Sequence, residues 1–511
     1  MLSILETSQP LSKSLLWQIQ RTYFEQQGIE AWRQGTVPHY VTSNPYLAHS
    51  YARVIAAFLE DIAPTLDSRQ PVYLIELGAG SGRMAYHLLQ QLLPLTDVPF
   101  QLIVTDFAPR TLEFWRSHPH WQPFVASGRA DFALFDAAAP AGLTLHHTGQ
   151  PLNPLNPLIL LANYFFDSIP QDCFTIQNGQ LHEDLLTLAA DQPEPDLAAP
   201  GLLERLVPIY DHHPISLPYY HDPALDQVLG HYLPAVQETT FLFPNVGLQC
   251  LAFFRRLSCD RLLLLTGDKG YHQLADLPGR ADPHLNVHGS FSVMVNYHAL
   301  LTYSRQQGGQ AYTPTQRATT LNILALRFGG QPCPRTGRAY TQAIAQAGPD
   351  DYFSLKKALD RQAATMNLEE WLAWLRHSHW DGAILFVNFP HWLELVKAAP
   401  KRLRPEIEQA VQALWNNYYP LGEAGQDLPF CLGMILLEIE DYANALPHFQ
   451  QSLLWWGPDK FTYYQTAICH LGMGQKEAAQ TALAQALTLD PQFGPAVHLQ
   501  SQLIDITMTP L

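Results

Sequence analysis

The sequence predicts an α/β, Rossmann-like domain with an N-terminal helical cap, followed by an all-α helical domain. In the middle of the chain, short apolar segments alternate with helical patterns, as in sheets built from βαβ units, and one such segment leads into a glycine-rich turn. Beyond residue 350 the apolar periodicity is that of successive helices, with an internal repeat near the end. We therefore expect a cap over 1–70, the α/β domain over 71–335 with an insert at about 190–245, and a helical domain over 350–511.

The composition favours a cytoplasmic protein. Its 30 basic and 46 acidic residues give a formal net charge of -16, which disfavours nucleic acid as a partner because the phosphates would be repelled. No apolar run approaches the ~18 residues that a membrane span needs, and the start of the chain lacks the basic region of a secretory signal. Six cysteines without a C-x-x-C pair favour free thiols in a reducing compartment.

Two helices are predicted in the cap, over 11–33 and 45–63. In the turn between them, Ser43 or Asn44 is a natural N-cap ahead of Pro45 at the first helical position.

The α/β domain is expected to contain strands at the apolar segments 72–77, 101–105, 158–162 and 261–265. Proline-rich stretches interrupt the pattern at 138–157 and 192–223, and the second is long enough to be a mobile lid or a partner-binding insert. Glycine and proline together mark 329–334 as a domain boundary.

The glycine-rich turn follows the first predicted strand. Glu76 lies near the end of this strand, and glycines then occupy alternate positions before a helix. Residues without Cβ let the backbone pass closely beneath a ligand, while the free amides of the helix N-terminus face its polar groups. A dinucleotide fingerprint would need a third glycine where Arg83 stands, whereas alternate glycines after an acid suit S-adenosylmethionine, whose ammonium a carboxylate can hold. The predicted cofactor-binding residues here are Glu76, Gly78, Ala79, Gly80 and Gly82.

Two further strand ends complete the predicted nucleoside site. Asp106 follows the second strand, 24 residues after Gly82, where an acid can accept both ribose hydroxyls, and Phe107 beside it can lie on the adenine face. Asp131 and Phe132 are placed at the end of a third strand, where the acid would meet the adenine amino group. Asp106 alone could be a solvated carboxylate, but its place after the glycine turn favours the ribose.

The acceptor side of the site is predicted after the strand at 158–162. Asn163 follows this strand, at the sheet edge where open α/β folds bind ligands, and an Asn-x-x-Phe segment there could orient an amino or guanidinium acceptor. The alternative is a loop with two buried phenylalanines. The candidate catalytic residues are Asn163, Asp167 and, after a later strand, Asp268.

A 34-residue repeat near the C-terminus aligns Gly433, Ala445, Phe449, Ser452 and Gly457 with Ala467, Ala479, Leu483, Ala486 and Pro491. This is the tetratricopeptide (TPR) period, with small residues where two helices cross, although an unrelated helical bundle with coincident alanines is the alternative. We expect TPR repeats over about 426–511, stacked on the helices before them. TPR grooves recognise peptide segments or helices, so a protein substrate or assembly partner is expected.

Three segments together resemble the MidA-like family, which includes the mitochondrial complex I assembly methyltransferase, a protein arginine methyltransferase. They are Thr42–Pro45, Glu76–Gly82 and Asn163–Pro170; Leu262–Tyr271 and His288–Leu300 resemble later motifs of the family. The resemblance covers about residues 20–330 and implies a class I methyltransferase fold, S-adenosylmethionine as cofactor and an arginine acceptor. The TPR region lies outside it.

Departures from the family pattern fall on the acceptor side. Tyr164 stands in place of the family's glutamate, the turn glutamate has become part of Asn44-Pro45, and Lys269 interrupts the family's Asp-Tyr-Gly. The sequence therefore leaves two functions open: a methyltransferase whose TPR array docks a protein substrate, or an inactive methyltransferase fold that acts as an adaptor or assembly factor. Amino-methylation of a nucleic acid base is a third reading, which the acidic charge disfavours.

One histidine cluster is a candidate metal site. His212, His213, His221 and Asp222 lie close together in the proline-rich insert, but their spacing matches no familiar zinc pattern. We expect a solvated, histidine-rich loop and no metal.

Overall fold

The computed structural model describes residues 2–192, 196–199, 201–316, 320–423 and 425–508, with side chains up to residue 503. The chain divides into two compact units, Met1–Phe353 and Ser354–Leu511. Within the described residues, no helix combines the length and apolar character needed to cross a membrane.

The first unit is a mixed α/β structure. Its strands are β1 (Ser3–Pro10), β2 (Val72–Glu76), β3 (Phe100–Asp106), β4 (Ala130–Leu134), β5 (Leu158–Asn163), β6 (Asp172–Gln177), β7 (Gln180–Ala190), β8 (Leu206–Pro214), β9 (Thr239–Phe243), β10 (Leu262–Asp268), β11 (Gly270–Tyr271), β12 (Asn286–His288), β13 (Ser290–Ser292), β14 (Val295–Asn296), β15 (Gln310–Tyr312) and β16 (Asn322–Phe328).

The helices of the first unit are α1 (Leu15–Gln27), α2 (Glu30–Arg33), α3 (Pro45–Ile62), α4 (Arg83–Leu92), α5 (Pro109–Ser117), α6 (Gln122–Ala126), α7 (Pro223–Gly230), α8 (Asn245–Leu257), α9 (Tyr297–Gln306) and α10 (Pro334–Tyr340). Helix α11 (Pro349–Gln362) contains the division between the units. The second unit continues with α12 (Leu368–His377), α13 (Ala383–Val387), α14 (Phe389–Lys397), α15 (Arg404–Asn417), α16 (Leu428–Glu438), α17 (Tyr442–Trp456), α18 (Lys460–Gly472), α19 (Lys476–Leu489) and α20 (Gly494–Met508).

The larger sheet has the strand order β15-β16-β10-β5-β2-β3-β4. Its strands run parallel except β16, which pairs antiparallel with both β10 and β15. The chain moves outward from β2 through β3 to β4 and then returns to β5 on the other side of β2. The order therefore reverses between β2 and β5, and such a switch point opens a crevice outside the carboxyl ends of the strands.

The four apolar segments predicted as strands form β2, β3, β5 and β10, with ends shifted by a few residues. Strands β2 and β10 are buried along their whole length, which is why their sequences are continuous apolar runs and not alternating ones.

The predicted insert is a second, antiparallel sheet. It begins with β6 at Asp172, earlier than the expected start at about 190, and has the order β1-β7-β6-β9 with β8 also paired to β7. The stretch 192–223, expected as a lid or docking loop, therefore supplies strand β8; its residues 193–195 and 200 lie outside the described residues. Because β8 pairs on one side only, it tolerates Pro208 and Pro214, whose presence had suggested a loop.

The N-terminal cap over 1–70 is not purely helical. Strand β1 pairs with β7 of the second sheet. The helix predicted over 11–33 is two helices, since Ser14 caps α1 with its side chain and Gly28 ends it at a φ of 51°. Of the two cap candidates, Ser43 and Asn44, the structure shows Asn44 as the N-cap of α3, because its side chain accepts a hydrogen bond from a backbone amide of the first turn.

The division between the units lies after Phe353, later than the boundary predicted at 329–334. Helix α10 belongs to the first unit. The backbone amide of Thr336 donates to Asp61 Oδ2 at 2.9 Å, and the Tyr340 hydroxyl donates to a carbonyl of β16 at 2.7 Å. These bonds tie α10 to α3 and to the sheet, so the glycines and prolines before it form a turn within the unit.

In the second unit, α17 and α19 begin 34 residues apart, as do α18 and α20. A Cβ on Gly433 of α16 would lie 2.8 Å from the Phe449 ring of α17. Ala467, Ala479 and Ala486 are fully buried between the later helices. Small residues thus lie where these helices pack, as the repeat predicts, while the TPR assignment itself stays a prediction.

We expect Ala486→Leu to lower the free energy of unfolding by about 1–3 kcal/mol, because the larger side chain has no space at this fully buried position. Ala484→Leu, on the exposed side of the same helix, makes the same chemical change and should stay within about 0.5 kcal/mol of the parent. Urea denaturation of both variants, followed by circular dichroism, checks this. Equal losses would contradict the packing described for α19.

Candidate active site

The turn between β2 and α4 contains three glycines with positive φ. Gly78, Gly80 and Gly82 have φ values of 61°, 53° and 75°, a region that favours glycine. A Cβ on Gly80 would lie 2.6 Å from the Trp32 ring, and one on Gly78 would lie 3.2 Å from Phe165. Both the backbone path and the close approach of the aromatic rings therefore require glycine here.

Hydrogen bonds from β3 hold this turn in place. The Ala79 amide donates to the Thr105 carbonyl at 2.9 Å, and the Gly80 amide donates to Asp106 Oδ2 at 3.1 Å. The Thr105 hydroxyl in turn donates to the carbonyl of Glu76 at 2.7 Å. The first two strands of the sheet thus fix the turn by backbone and side-chain contacts together.

Glu76 is a buried acid without full compensation. Its side chain is 4% exposed and lines the cavity, and its Oε2 has no hydrogen-bond partner among the described residues. Burial, with a smaller contribution from the charge of Asp106, raises the pKa of Glu76 to about 8 although a hydrogen bond from the Ala85 amide lowers it. A carboxylate in this position would be stabilised by a cationic ligand group.

Asp106 and Phe107 form the neighbouring wall. Burial raises the pKa of Asp106 to about 6, although several backbone amides donate to its carboxylate. The Arg21 guanidinium lies 4.7 Å from the centre of the Phe107 ring and bonds Asp136 Oδ2 at 2.5 Å. Helix α1 is thereby tied to the segment after β4 beside the crevice.

The crevice holds a cavity of about 380 Å³, within the usual range of about 300–1,000 Å³ for small-molecule sites. The glycine turn, helix α1, the segments after β4 and β5, and the end of the β12–β13 hairpin bound it. Aromatic rings form much of its wall, namely Trp17, Phe24, Trp32, Phe107, Phe135 and Phe165.

Asn163 offers a donor to this cavity. Its Oδ1 accepts a hydrogen bond from the Tyr51 hydroxyl at 2.7 Å, whereas its buried Nδ2 has no partner among the described residues. Gly267 on β10 leaves room for this pair, since a Cβ there would lie about 3 Å from both side chains. The Asn163 side chain is therefore fixed through Oδ1, and its Nδ2 can donate a hydrogen bond to a ligand.

Asp167 and Asp268 form a coupled acid pair. Asp167 lines the cavity, and its Oδ1 accepts from the Ser168 hydroxyl at 2.7 Å. Asp268 is fully buried, and the Tyr297 hydroxyl donates to its Oδ2 at 3.2 Å. Burial raises the pKa of Asp167 to about 6, while burial and the charge of Asp167 raise the pKa of Asp268 well above its usual range. The pair therefore favours a charge on Asp167 and a proton on Asp268.

Most of the predicted site residues meet at this cavity: Glu76, Gly78, Ala79, Gly80, Asp106, Phe107, Asn163 and Asp167 line it. Gly82 and Asp268 do not line it. Gly82 is the N-cap of α4, and Asp268 interacts with Asp167, which lines the cavity.

The placement of Asp131 and Phe132 at the cavity was wrong. Strand β4 runs over Ala130–Leu134, so Asp131 is near its start and not at its carboxyl end. Asp131 Oδ1 accepts from the amides of Phe132 and His147, at 2.7 and 2.8 Å, and the Phe132 ring packs against tryptophans of α5 and the following turn. Both residues are structural.

Several residues that line the cavity were not predicted from the sequence. Phe135 and Asp136, just after β4, line the cavity and repeat the pattern of an apolar strand followed by an acid that identified Asp106. Trp17, Arg21 and Trp32 also line it from the cap. No sequence motif identifies these three residues. The two tryptophans are typical of a helix face that packs on the core, and Arg21 is typical of a solvated face.

Comparison with solved structures gives several distant matches. An uncharacterized ACR protein from Burkholderia thailandensis is 14% identical with a TM-score of 0.37, covering 63% of this chain and 89% of that one. Like that protein, a second one from Burkholderia thailandensis belongs to the COG1565 superfamily, and its structure contains S-adenosyl-homocysteine. It is 14% identical with a TM-score of 0.40, covering 65% of this chain and 90% of that one. The CurJ carbon methyltransferase is 9% identical with a TM-score of 0.27, covering 55% and 54%. No protein-family model and no curated protein sequence matches the chain.

We expect Gly80→Ala to cost about 1–3 kcal/mol more unfolding free energy than Gly149→Ala. Both glycines have positive φ, 53° and 67°, but only Gly80 has an aromatic ring in the space of the new Cβ. In each variant an alanine adopts the left-handed backbone conformation, which destabilises the folded state by about 1–2 kcal/mol. Urea titration gives the difference, and equal losses would show that Trp32 can move away freely.

The stability of the ligand-free protein should depend on pH through Glu76. Its folded pKa of about 8 exceeds the ordinary 4.5, so the folded chain keeps a proton that the unfolded chain releases, and stability falls as pH rises between these values. Glu76→Gln removes this contribution. Its stability relative to the parent should rise across this window by up to about 5 kcal/mol and level off above it. A constant difference at all pH values, measured by denaturation, would contradict the raised pKa.

Proposed function

We propose that the first unit binds S-adenosylmethionine and transfers its methyl group to a protein acceptor, and that the helices of the second unit dock that protein. The observation that carries the proposal is the unpartnered Glu76 Oε2, buried beside a glycine turn at the switch point of a mostly parallel sheet. The other polar groups of the cavity fit the same ligand.

Glu76 suits the ammonium of the methionine moiety, because a cation would offset the burial of its carboxylate. Asp106 suits the ribose hydroxyls, since it ends the second strand. The Gly80 amide donates to its Oδ2 and the Ala108 amide to its Oδ1, so the ribose would use the remaining acceptor capacity of these oxygens. Phe107 and Phe135 offer ring faces for adenine. Counted along the chain, the strands of the larger sheet have the order 3-2-1-4-5-7-6 with the seventh antiparallel, which is the class I methyltransferase arrangement.

Bound S-adenosylmethionine would supply an electrophilic methyl group, and the chain's own residues would orient the acceptor and handle its proton. The free Nδ2 of Asn163 can donate to an acceptor atom. Asp167 can attract a cationic acceptor or take the proton of a neutral nitrogen, since its pKa is about 6. Asp268 keeps the charge on Asp167, so it is a positioning residue. Orientation of donor and acceptor supplies most of the acceleration in such reactions, up to about 7–11 kcal/mol.

An arginine acceptor is the specific form that the family resemblance implies. A guanidinium is best held by two carboxylate oxygens in a bidentate pair. The carboxylate of Asp167 has both of these oxygens. Against this, Lys269 also lines the cavity and lowers the pKa of Asp167 by its charge. That contact supports the second candidate, an adaptor that holds the cofactor without methyl transfer.

Binding is tested by calorimetry with S-adenosyl-homocysteine. We expect Glu76→Gln and Asp106→Asn each to weaken binding by about 10–100-fold, the value of a hydrogen bond to a charged group. Glu113→Gln, on the exposed face of α5, is the matched control and should bind like the parent. If both site variants bind like the control, the proposed cofactor site is wrong.

Methyl transfer is tested with tritiated S-adenosylmethionine and extract proteins as acceptors. We expect Asp167→Asn to reduce methyl incorporation by at least about 100-fold while cofactor affinity stays within about twofold, because it removes the carboxylate proposed to hold the acceptor and take its proton. The Glu113→Gln control should label like the parent. Equal labelling by Asp167→Asn would reject the role of Asp167, and binding without labelling by the parent would favour the adaptor.

A further inference from the structure

A second group of ligating side chains lies on the antiparallel sheet, outside the cavity. Asp184 of β7 is directly opposite His212 of β8 in the strand register, and Asp282 comes from the segment before β12. One oxygen or nitrogen atom from each of these three side chains lies within 4.8 Å of the other two. The three atoms belong to different segments of the chain, so the fold itself brings them together.

Asp184 is held as metal-binding carboxylates are held. Its side chain is fully buried, and its Oδ2 accepts hydrogen bonds from the Thr175 hydroxyl at 2.8 Å and the Cys173 thiol at 3.3 Å. Burial raises the pKa of Cys173, so the thiol stays a donor. The other oxygen, Oδ1, lies 2.6 Å from His212 Nδ1. The hydrogen bonds to Oδ2 orient the carboxylate and direct Oδ1 toward His212.

The charge of the group also favours a cation. Two carboxylates face one imidazole, and among the described residues neither Asp184 nor Asp282 has an ion pair with lysine or arginine. The Tyr210 hydroxyl, on the same strand as His212, is buried without a hydrogen-bond partner. Asp282 is exposed to solvent, so of the two carboxylates only that of Asp184 is buried beside the imidazole.

We propose that Asp184 Oδ1, His212 Nδ1 and a carboxylate oxygen of Asp282 bind a divalent transition metal ion of the zinc class. One imidazole and two carboxylates are ligands of this class, and three protein ligands leave a position for water. The ion replaces the proton that Asp184 and His212 now share, so only small side-chain movements are needed.

The position of Asp282 suggests what the ion does. Asp282 precedes the β12–β13 hairpin, whose His288, Ser290 and Phe291 line the cavity of the first unit. A metal ion bridging Asp282 to β7 and β8 would fix the base of this hairpin on the sheet. We infer that the ion, with water as its fourth ligand, supports this wall of the cavity.

The test is calorimetric titration of the chelator-treated full chain with Zn²⁺. His212→Ala and Asp282→Asn alter exposed or half-exposed side chains, so both variants should fold, which circular dichroism verifies. His213→Ala is the matched control, because His213 is the next residue of β8 and lies on the opposite face. Thr175→Val removes one outer hydrogen bond without changing the ligands.

We expect one tight Zn²⁺ equivalent in the parent and in His213→Ala. The affinity should fall at least tenfold in His212→Ala and Asp282→Asn, and about 10–100-fold in Thr175→Val. Zn²⁺ should raise the melting temperature of the parent and of His213→Ala but not of His212→Ala. Equal affinities of His212→Ala and His213→Ala, or no tight equivalent in the parent, would overturn the proposal. Neither result depends on methyl transfer.

Discussion

The structure of the site depends on one unfavourable feature, the burial of Glu76 at the end of β2. An acid with a free oxygen in this position destabilises the ligand-free protein, and its raised pKa expresses that cost. The surrounding elements keep the acid in place: Thr105 bonds its carbonyl, and Asp106 holds the glycine turn above it. Strain at functional sites is commonly offset in this way by stability elsewhere. A ligand with a cationic group would offset the unfavourable burial of the Glu76 carboxylate.

Asp167 and Asp268 are two further buried acids, after β5 and at the end of β10. Asp167 lines the cavity and Asp268 does not, and burial together with the charge of Asp167 raises the pKa of Asp268. Asn163 is fixed through Tyr51 of α3, which connects the cap to the carboxyl edge of the sheet. The cap is therefore part of the site, and its strand β1 anchors it to the second sheet.

The sequence was sufficient where a local pattern has one physical explanation. Glycines at alternate positions, acids after apolar strands and the Asn44 cap all depend on neighbours along the chain, and the structure places them as expected. Prediction from the sequence failed where contacts with distant segments of the chain determine the local structure. Asp131 looked like a strand-end acid, but its carboxylate bonds the amide of His147, 16 residues away, and strand β8 forms despite its prolines because β7 pairs with it. The contribution of Trp32 to the cavity likewise depends on contact with Gly80 across the fold.

The proposed binding of a cationic group by Glu76 is tested most directly by the number of protons released when the ligand binds. Calorimetry of S-adenosyl-homocysteine at about pH 7, in buffers of different ionisation enthalpy, gives that number. We expect the parent to release close to one proton more than Glu76→Gln, because the ligand's ammonium would ionise Glu76. Methylthioadenosine, which has the nucleoside but no ammonium, should show no such difference. The same proton count for parent and Glu76→Gln with S-adenosyl-homocysteine would show that Glu76 does not bind the ammonium.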